Sequence, residues 1–140
     1  MDVLLSDLAS FHDAELVQLR FLKEELCIEI EYLSPSKKSL VIRGSGVLAF
    51  RAIDIVTQNV VSRILLTGTH KLSDAHIREK LQWVSSCVDA PSYFSLITID
   101  DYLMRIQRSE IFLLIIESSI GAEICLLCEK VRLSSIKSVI

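Results

Sequence analysis

An α+β fold with a mainly antiparallel sheet, its elements in the rough order ββββααββ, is what three features of this chain of 140 residues predict. The segment Leu26-Cys27-Ile28-Glu29-Ile30-Glu31-Tyr32 alternates apolar and polar residues with the period of a half-buried strand. Ile77, Leu81, Val84 and Val88 recur at helical spacing behind Ser73-Asp74, a helix start. Ile111-Phe112-Leu113-Leu114-Ile115-Ile116 is an unbroken apolar run, far short of the roughly 20 residues that a membrane-spanning helix needs, and it reads as a buried strand.

In chain order, residues 2 to 12 form a short helix or an irregular arm carrying Val3, Leu4, Leu8 and Phe11. Residues 16 to 22 and 26 to 33 are two strands joined at Lys23-Glu24-Glu25, with Leu26, Ile28, Ile30 and Tyr32 sharing one face. A turn follows at Ser34-Pro35-Ser36-Lys37-Lys38-Ser39, and the return strand, residues 40 to 43 and 47 to 50, is interrupted by a bulge at Gly44-Ser45-Gly46. Val60 to Leu66 is β-branched and reads as a strand, with a helix over residues 52 to 66 as the other reading. Pro91 ends the Ser73 helix, and Thr98-Ile99-Asp100-Asp101 has the form of a capping box that starts a second helix. Residues 110 to 117 and 122 to 133 form a closing hairpin whose turn uses Gly121. Nothing divides the chain, so residues 1 to 140 are read as one domain. Both helices are expected on one face of the sheet, and pairing of first and last strands into a partly closed barrel fits the pattern equally well.

Charge is uneven along the chain. Residues 1 to 31 carry eight acids against Arg20 and Lys23, and residues 32 to 82 carry eight bases against three acids. Acidic and basic strands that pair would neutralise one another locally. The isoelectric point near 5.6 and the scattered Arg43, Arg51 and Arg63 argue against nucleic-acid binding. The N-terminal Met1-Asp2-Val3-Leu4-Leu5-Ser6-Asp7 carries acids where a secretory signal carries bases, so a cytoplasmic location and no membrane association are expected.

Several motifs invite chemistry and carry little of it. Cys125-Leu126-Leu127-Cys128 has C-x-x-C spacing but lies in a strand pattern, where residues three apart point to opposite faces, so its sulfurs should diverge. All four cysteines are expected to be reduced, with no metal and no cofactor. Gly44-Ser45-Gly46 lacks the third glycine and the Lys-Ser/Thr of a phosphate loop, and no Gly-x-Ser-x-Gly elbow exists. His12-Asp13, with Glu15 nearby, is the best polar cluster, because a carboxylate beside an imidazole raises its basicity and fixes its tautomer. The plainer reading has Asp13 accepting backbone N–H groups in a turn. Gln58-Asn59, ahead of the Val60 strand, has the donors and acceptors either to read a ligand or to build a turn. His70 and His76 are too far apart for a helical zinc pair and read as surface, and Trp83 reads as core or interface.

Phe11-His12-Asp13-Ala14-Glu15-Leu16, the hairpin after it, Gly46-Val47-Leu48-Ala49-Phe50-Arg51 and Gln58-Asn59-Val60-Val61 together resemble a broad group of small bacterial proteins without a defined activity. The resemblance covers the first half of the chain and implies a bacterial accessory protein without a known active site, in a group some of whose members are suspected toxin-immunity or other partner-binding proteins. It carries over no functional residue. Because the sequence shows no catalytic set, a non-enzymatic interaction module, immunity-like and engaging a partner through its acidic N-terminal third, is the leading expectation, with His12, Asp13, Glu15, Gln58 and Asn59 as partner- or ligand-site candidates. The alternative is a small enzyme or ligand-binding domain using His12 and Asp13; convergence of those side chains with His70, His76 or another acid in one pocket would favour it.

With 51% hydrophobic residues and a mean hydropathy of +0.45, the chain is apolar for its length. Part of that excess is expected at a homodimer contact using the C-terminal hairpin or an adjacent helix. Light scattering coupled to size-exclusion chromatography should read a dimeric mass; a monomeric mass at tens of micromolar protein removes the dimer.

Overall fold

A computed structural model describes residues 5–87 and 91–137. The helix α1 (Leu5–Ala9) leads into β1 (Glu15–Leu22), a 3-10 turn at Lys23–Glu25, β2 (Cys27–Leu33), β3 (Lys38–Ile53), β4 (Val60–Leu66), α2 (Asp74–Val84), α3 (Leu96–Gln107), β5 (Phe112–Ile120) and β6 (Glu123–Lys137). The fold is thus α+β and antiparallel throughout its named ladders, and the short α1 makes the order αββββααββ rather than ββββααββ.

The strands follow one another around a hydrogen-bonded ring in the order β1-β2-β3-β6-β5-β4, and the ring returns to β1 through the single register pair Glu15 and Val60. The expectation that the first and last strands close the sheet is corrected here. β1 meets β4, while β6 lies between β3 and β5. β6 gives one whole side to β3, in an antiparallel ladder from Lys38 and Lys137 to Ile53 and Glu123, and part of the other to β5, while Asn59 and Val61 hold β1 against β4 through backbone hydrogen bonds.

Strand alternation builds two cores. Ile28, Ile30, Tyr32, Leu40, Ile42, Ile64, Leu66, Leu114, Ile116, Ile124, Leu126 and Cys128 fill the inside of the ring, joined by Leu8 and Phe11. Leu65, Leu113, Ile115, Cys125 and Leu127 point outward and are covered by Ile77, Leu81 and Val84 of α2 and Ile99, Leu103 and Ile106 of α3. Gly44 leaves room in the ring interior for the Leu126 and Cys128 side chains, which a Cβ there would meet. The strand irregularity falls between Val47 and Ala49, just after the glycines, and β3 continues through it. Leu26 does not share the inward face of β2; it sits in the left-handed region at φ 49° and is exposed.

Both long helices are capped by serine. Ser73 Oγ accepts the N–H of His76 at 3.1 Å, as the Ser73 start implies. The second start is corrected: Ser95 Oγ accepts the N–H of Thr98 at 3.2 Å, so α3 begins at Leu96 and Thr98 is the partner of the cap rather than the cap. Val88, expected in the α2 stripe, lies outside the described residues.

Acidic β2 lies between β3, which is basic, and β1, which carries Arg20. Glu29 pairs with Arg20 at 3.5 Å and Arg43 at 3.4 Å, and Glu25 pairs with Arg43 at 3.1 Å. The segments whose burial the composition assigns in part to a second subunit, Ile111 to Ile116 and Leu126-Leu127, are buried within one chain. Among the described residues no helix is long and apolar enough to cross a membrane.

Candidate functional site

The chain leaves α1 through His12-Asp13. Asp13 sits in the left-handed region at φ 63°, where a short polar side chain is tolerated, and donates its N–H to the Val61 carbonyl at 3.0 Å. Among the described residues its carboxylate accepts no turn N–H, contrary to the plainer expectation, and lies 3.6 Å from Nε2 of His12, with the His12 and Asp13 side chains 68% and 62% exposed. His12 donates from Nδ1 to the Ser62 carbonyl at 2.8 Å, leaving Nε2 as the open nitrogen. Glu15 is exposed at the ring closure opposite Val60, and Gln58 is exposed in the loop ahead of β4.

Asn59 is buried and structural. Its Oδ1 accepts the N–H groups of Val56 and Ala122, both at 3.0 Å, and its Nδ2 donates to the Val56 carbonyl at 2.7 Å. Its backbone carbonyl accepts the N–H of Leu16 at 2.9 Å, tying β1 to β4. Gly121, at φ 85°, turns tightly against this amide, and a Cβ there would collide with it. Three of the four hydrogen bonds this amide can make are thus spent on the Val56 turn and on Ala122.

His70 was expected on the surface and is instead half-buried beside His12. The two line a cleft of about 460 Å³ with Leu8, Ser62, Arg63 and Ile64, while Asp13, Glu15, Gln58, Asn59 and His76 do not line it. Tautomers decide what this cleft can hold. His70 Nδ1 accepts the N–H of Leu66 at 3.1 Å, so the proton of its neutral ring is on Nε2, and that nitrogen has no lone pair for a metal while the bond stands. Among the described residues no cluster of three His, Cys, Asp or Glu could hold a metal ion. Arg63 is committed outward to Glu117, at 2.6 Å from Nε and 3.1 Å from Nη2. That bonding holds the Glu117 carboxyl below the usual carboxylate range against the opposing effect of burial, with weaker help from Lys80 and His76.

The cysteines are all free. Cys125 points into the helix-covered core and Cys128 into the ring, so the C-x-x-C sulfurs lie on opposite faces as strand geometry requires. Burial pushes each of these thiols up to about 12, which keeps them un-ionised at neutral pH.

Two surfaces had no clear signal in the sequence. One is a groove of about 720 Å³ between α1 and the second half of β6, lined by Phe11, Phe112, Lys130, Val131 and Arg132 among others. The second is the start of α3, where Tyr93, Leu96 and Ile97 are 64%, 73% and 82% exposed. There the Tyr93, Phe94 and Tyr102 rings stack edge to face at 4.9 and 5.1 Å, and the Arg105 guanidinium lies 5.8 Å from the Tyr102 ring. Reading the helix start at Thr98 hid this surface, because it left Leu96-Ile97 in the loop.

Fold and sites together define an α+β protein in which Asp13 and Asn59 build a turn and the ring closure, His12 lines a cleft, and apolar and basic surfaces lie elsewhere. No family model and no curated protein matches the chain. Among solved structures it is similar to an uncharacterized protein from Neisseria gonorrhoeae, with a TM-score of 0.50 and 12% sequence identity over 89% of this chain and 92% of that one. At that identity the likeness is one of fold alone.

Two substitutions separate structural from functional roles. Asn59→Ala orphans the buried N–H of Ala122 and should lower stability by about 2–4 kcal/mol in urea denaturation. Asp13→Ala should cost about 1–2 kcal/mol through its positive φ, whereas Asp13→Gly should cost nothing or stabilise. Equal destabilisation by both Asp13 variants would assign the effect to the carboxylate instead.

Proposed function

We propose that this chain is a non-enzymatic interaction module, of the accessory and immunity-like kind, that recognises a protein partner through the start of α3. The observation that carries the reading is the apolar and aromatic surface around Leu96 and Ile97. Exposed apolar side chains are ordinary when scattered, but here Tyr93, Leu96 and Ile97 adjoin a stacked aromatic row, and Met104, 41% exposed, lies seven positions beyond Ile97 on the same helix face. Tyr, Met and Arg are the residue types enriched at the centres of protein interfaces. Within the acidic N-terminal third, Glu25 and Glu29 are already engaged by Arg43 and Arg20. A homodimer through an adjacent helix would use this same α3 surface.

A second reading, a small ligand-binding domain, is supported by the cleft that His12 and His70 share. One experiment separates the two. Affinity capture from the native host, with the partner identified, should succeed with the parent chain and with His12→Asn, and should fail with Leu96→Asp/Ile97→Asp. Because both α3 positions are exposed, that variant should keep its stability to within about 1 kcal/mol. Capture that survives the α3 change and fails with His12→Asn reverses the order of the readings.

A further inference from the structure

The sheet does not close along its whole length. β5 pairs with β6 only from Ile116 and Ile124 to Phe112 and Cys128, while β3 pairs with β6 onward to Lys38 and Lys137. From Lys130 to Ser135 the far edge of β6 therefore has no strand beside it among the described residues, and it borders the groove of about 720 Å³. An exposed edge of this kind presents unpaired N–H and C=O groups to an added strand. Lys130, Arg132 and Ser134 are exposed on its outer face, and Val131 and Leu133 turn inward.

Register places four charged residues in one row across the outer face: Arg20 of β1 opposite Glu29 of β2, Glu29 opposite Arg43 of β3, and Arg43 opposite Arg132 of β6. Glu29 serves both Arg20 and Arg43, and Glu25 adds to Arg43. Arg132 has a like charge on its inner side, no ion pair among the described residues, and an open position on its outer side. The row runs plus, minus, plus, plus, and the next place in it calls for an anion. Opposite charges directly across neighbouring strands stabilise a sheet and like charges oppose it.

We propose that the Lys130–Ser135 edge of β6 binds an extended acidic peptide segment by strand addition, with acidic residues at alternate positions beside Lys130 and Arg132 and apolar residues between them over Phe112 and Val131. Main-chain hydrogen bonds supply affinity in this mode, and alternate side chains supply selectivity. A second copy of this chain is a poor occupant. Twofold antiparallel pairing centred on Arg132 sets Arg132 against its own equivalent, the like-charge device by which edges resist self-pairing. The proposal rests on the interaction-module reading but uses a surface separate from α3, so either can fail alone.

The test is fluorescence anisotropy on the full purified chain with labelled peptides of repeated Glu-Val and of repeated Lys-Val. The Glu-Val peptide should bind, with affinity that falls as salt rises, and the Lys-Val peptide should bind at least about tenfold more weakly. Lys130→Glu/Arg132→Glu should invert that order, a gain of Lys-Val binding that misfolding cannot produce. N-methylation of alternate Glu-Val amides should abolish binding, and Leu96→Asp/Ile97→Asp should leave it unchanged. The proposal is overturned if neither peptide binds or if both bind alike. A dimeric mass that Lys130→Glu/Arg132→Glu makes monomeric also overturns it, in favour of a second copy at this edge.

Discussion

Burial of β5 on both faces is the constraint on which the rest of the structure depends. Leu114 and Ile116 face the ring interior, Leu113 and Ile115 face α2 and α3, and all four are at most 2% exposed. Each such side chain contributes about 1.5–3 kcal/mol of burial free energy, so this strand holds the ring and the helical layer to a common wall. Alternation cannot set its register, because a one-residue slip would exchange one apolar face for another. Polar bonds at its ends do so. Thr67 Oγ1 accepts the N–H of Leu113 at 2.9 Å at one end, and the Arg63–Glu117 pair locks β4 to β5 toward the other.

Ring closure depends on a much smaller set of bonds. Three backbone hydrogen bonds, from Asp13 to Val61, from Leu16 to Asn59 and from Val61 to Ala14, carry the chain from α1 into β1 against β4. The Asn59 side chain adds the link to Ala122, where the β5–β6 turn meets the β3–β4 loop. A buried amide with several fixed partners specifies one geometry, since any other arrangement leaves polar groups unpaired.

What could be read in advance follows from the range of each interaction. Periodicity and capping are local, so β2, the Ser73 helix, the buried run at Ile111 to Ile116 and the divergence of Cys125 from Cys128 were all legible. Asn59 was visible only as a polar residue before a strand, because its decisive partner, Ala122, lies 63 positions away. His12-Asp13 has the residue types of a catalytic pair, but the backbone at Asp13 calls for a left-handed turn, and spacing alone does not separate those demands. His70 looked like surface because neither the cleft nor the Leu66 N–H that binds its ring is local in the pattern. The uneven charge was legible and its consequence was not. Glu29 of β2 pairs with Arg20 of β1 and Arg43 of β3, but register carries no acid of β2 as far as Arg132 of β6.

Trp83 is the one tryptophan of the chain, and it sits at the end of α2 between the two layers. Arg51 of β3 places its guanidinium 4.4 Å from the indole ring centroid and donates from Nη1 to the Trp83 carbonyl at 3.0 Å, while Lys80 Nζ lies 5.6 Å from the same ring. The indole therefore meets strand-borne charge only while the helical layer is docked on the sheet. Its emission is a built-in optical reporter of that docking, separable from backbone circular dichroism, which follows the whole sheet. Coincident transitions by the two signals would mean that helices and ring melt as one cooperative unit, and an earlier fluorescence change would mean that the layer peels away from a ring still closed.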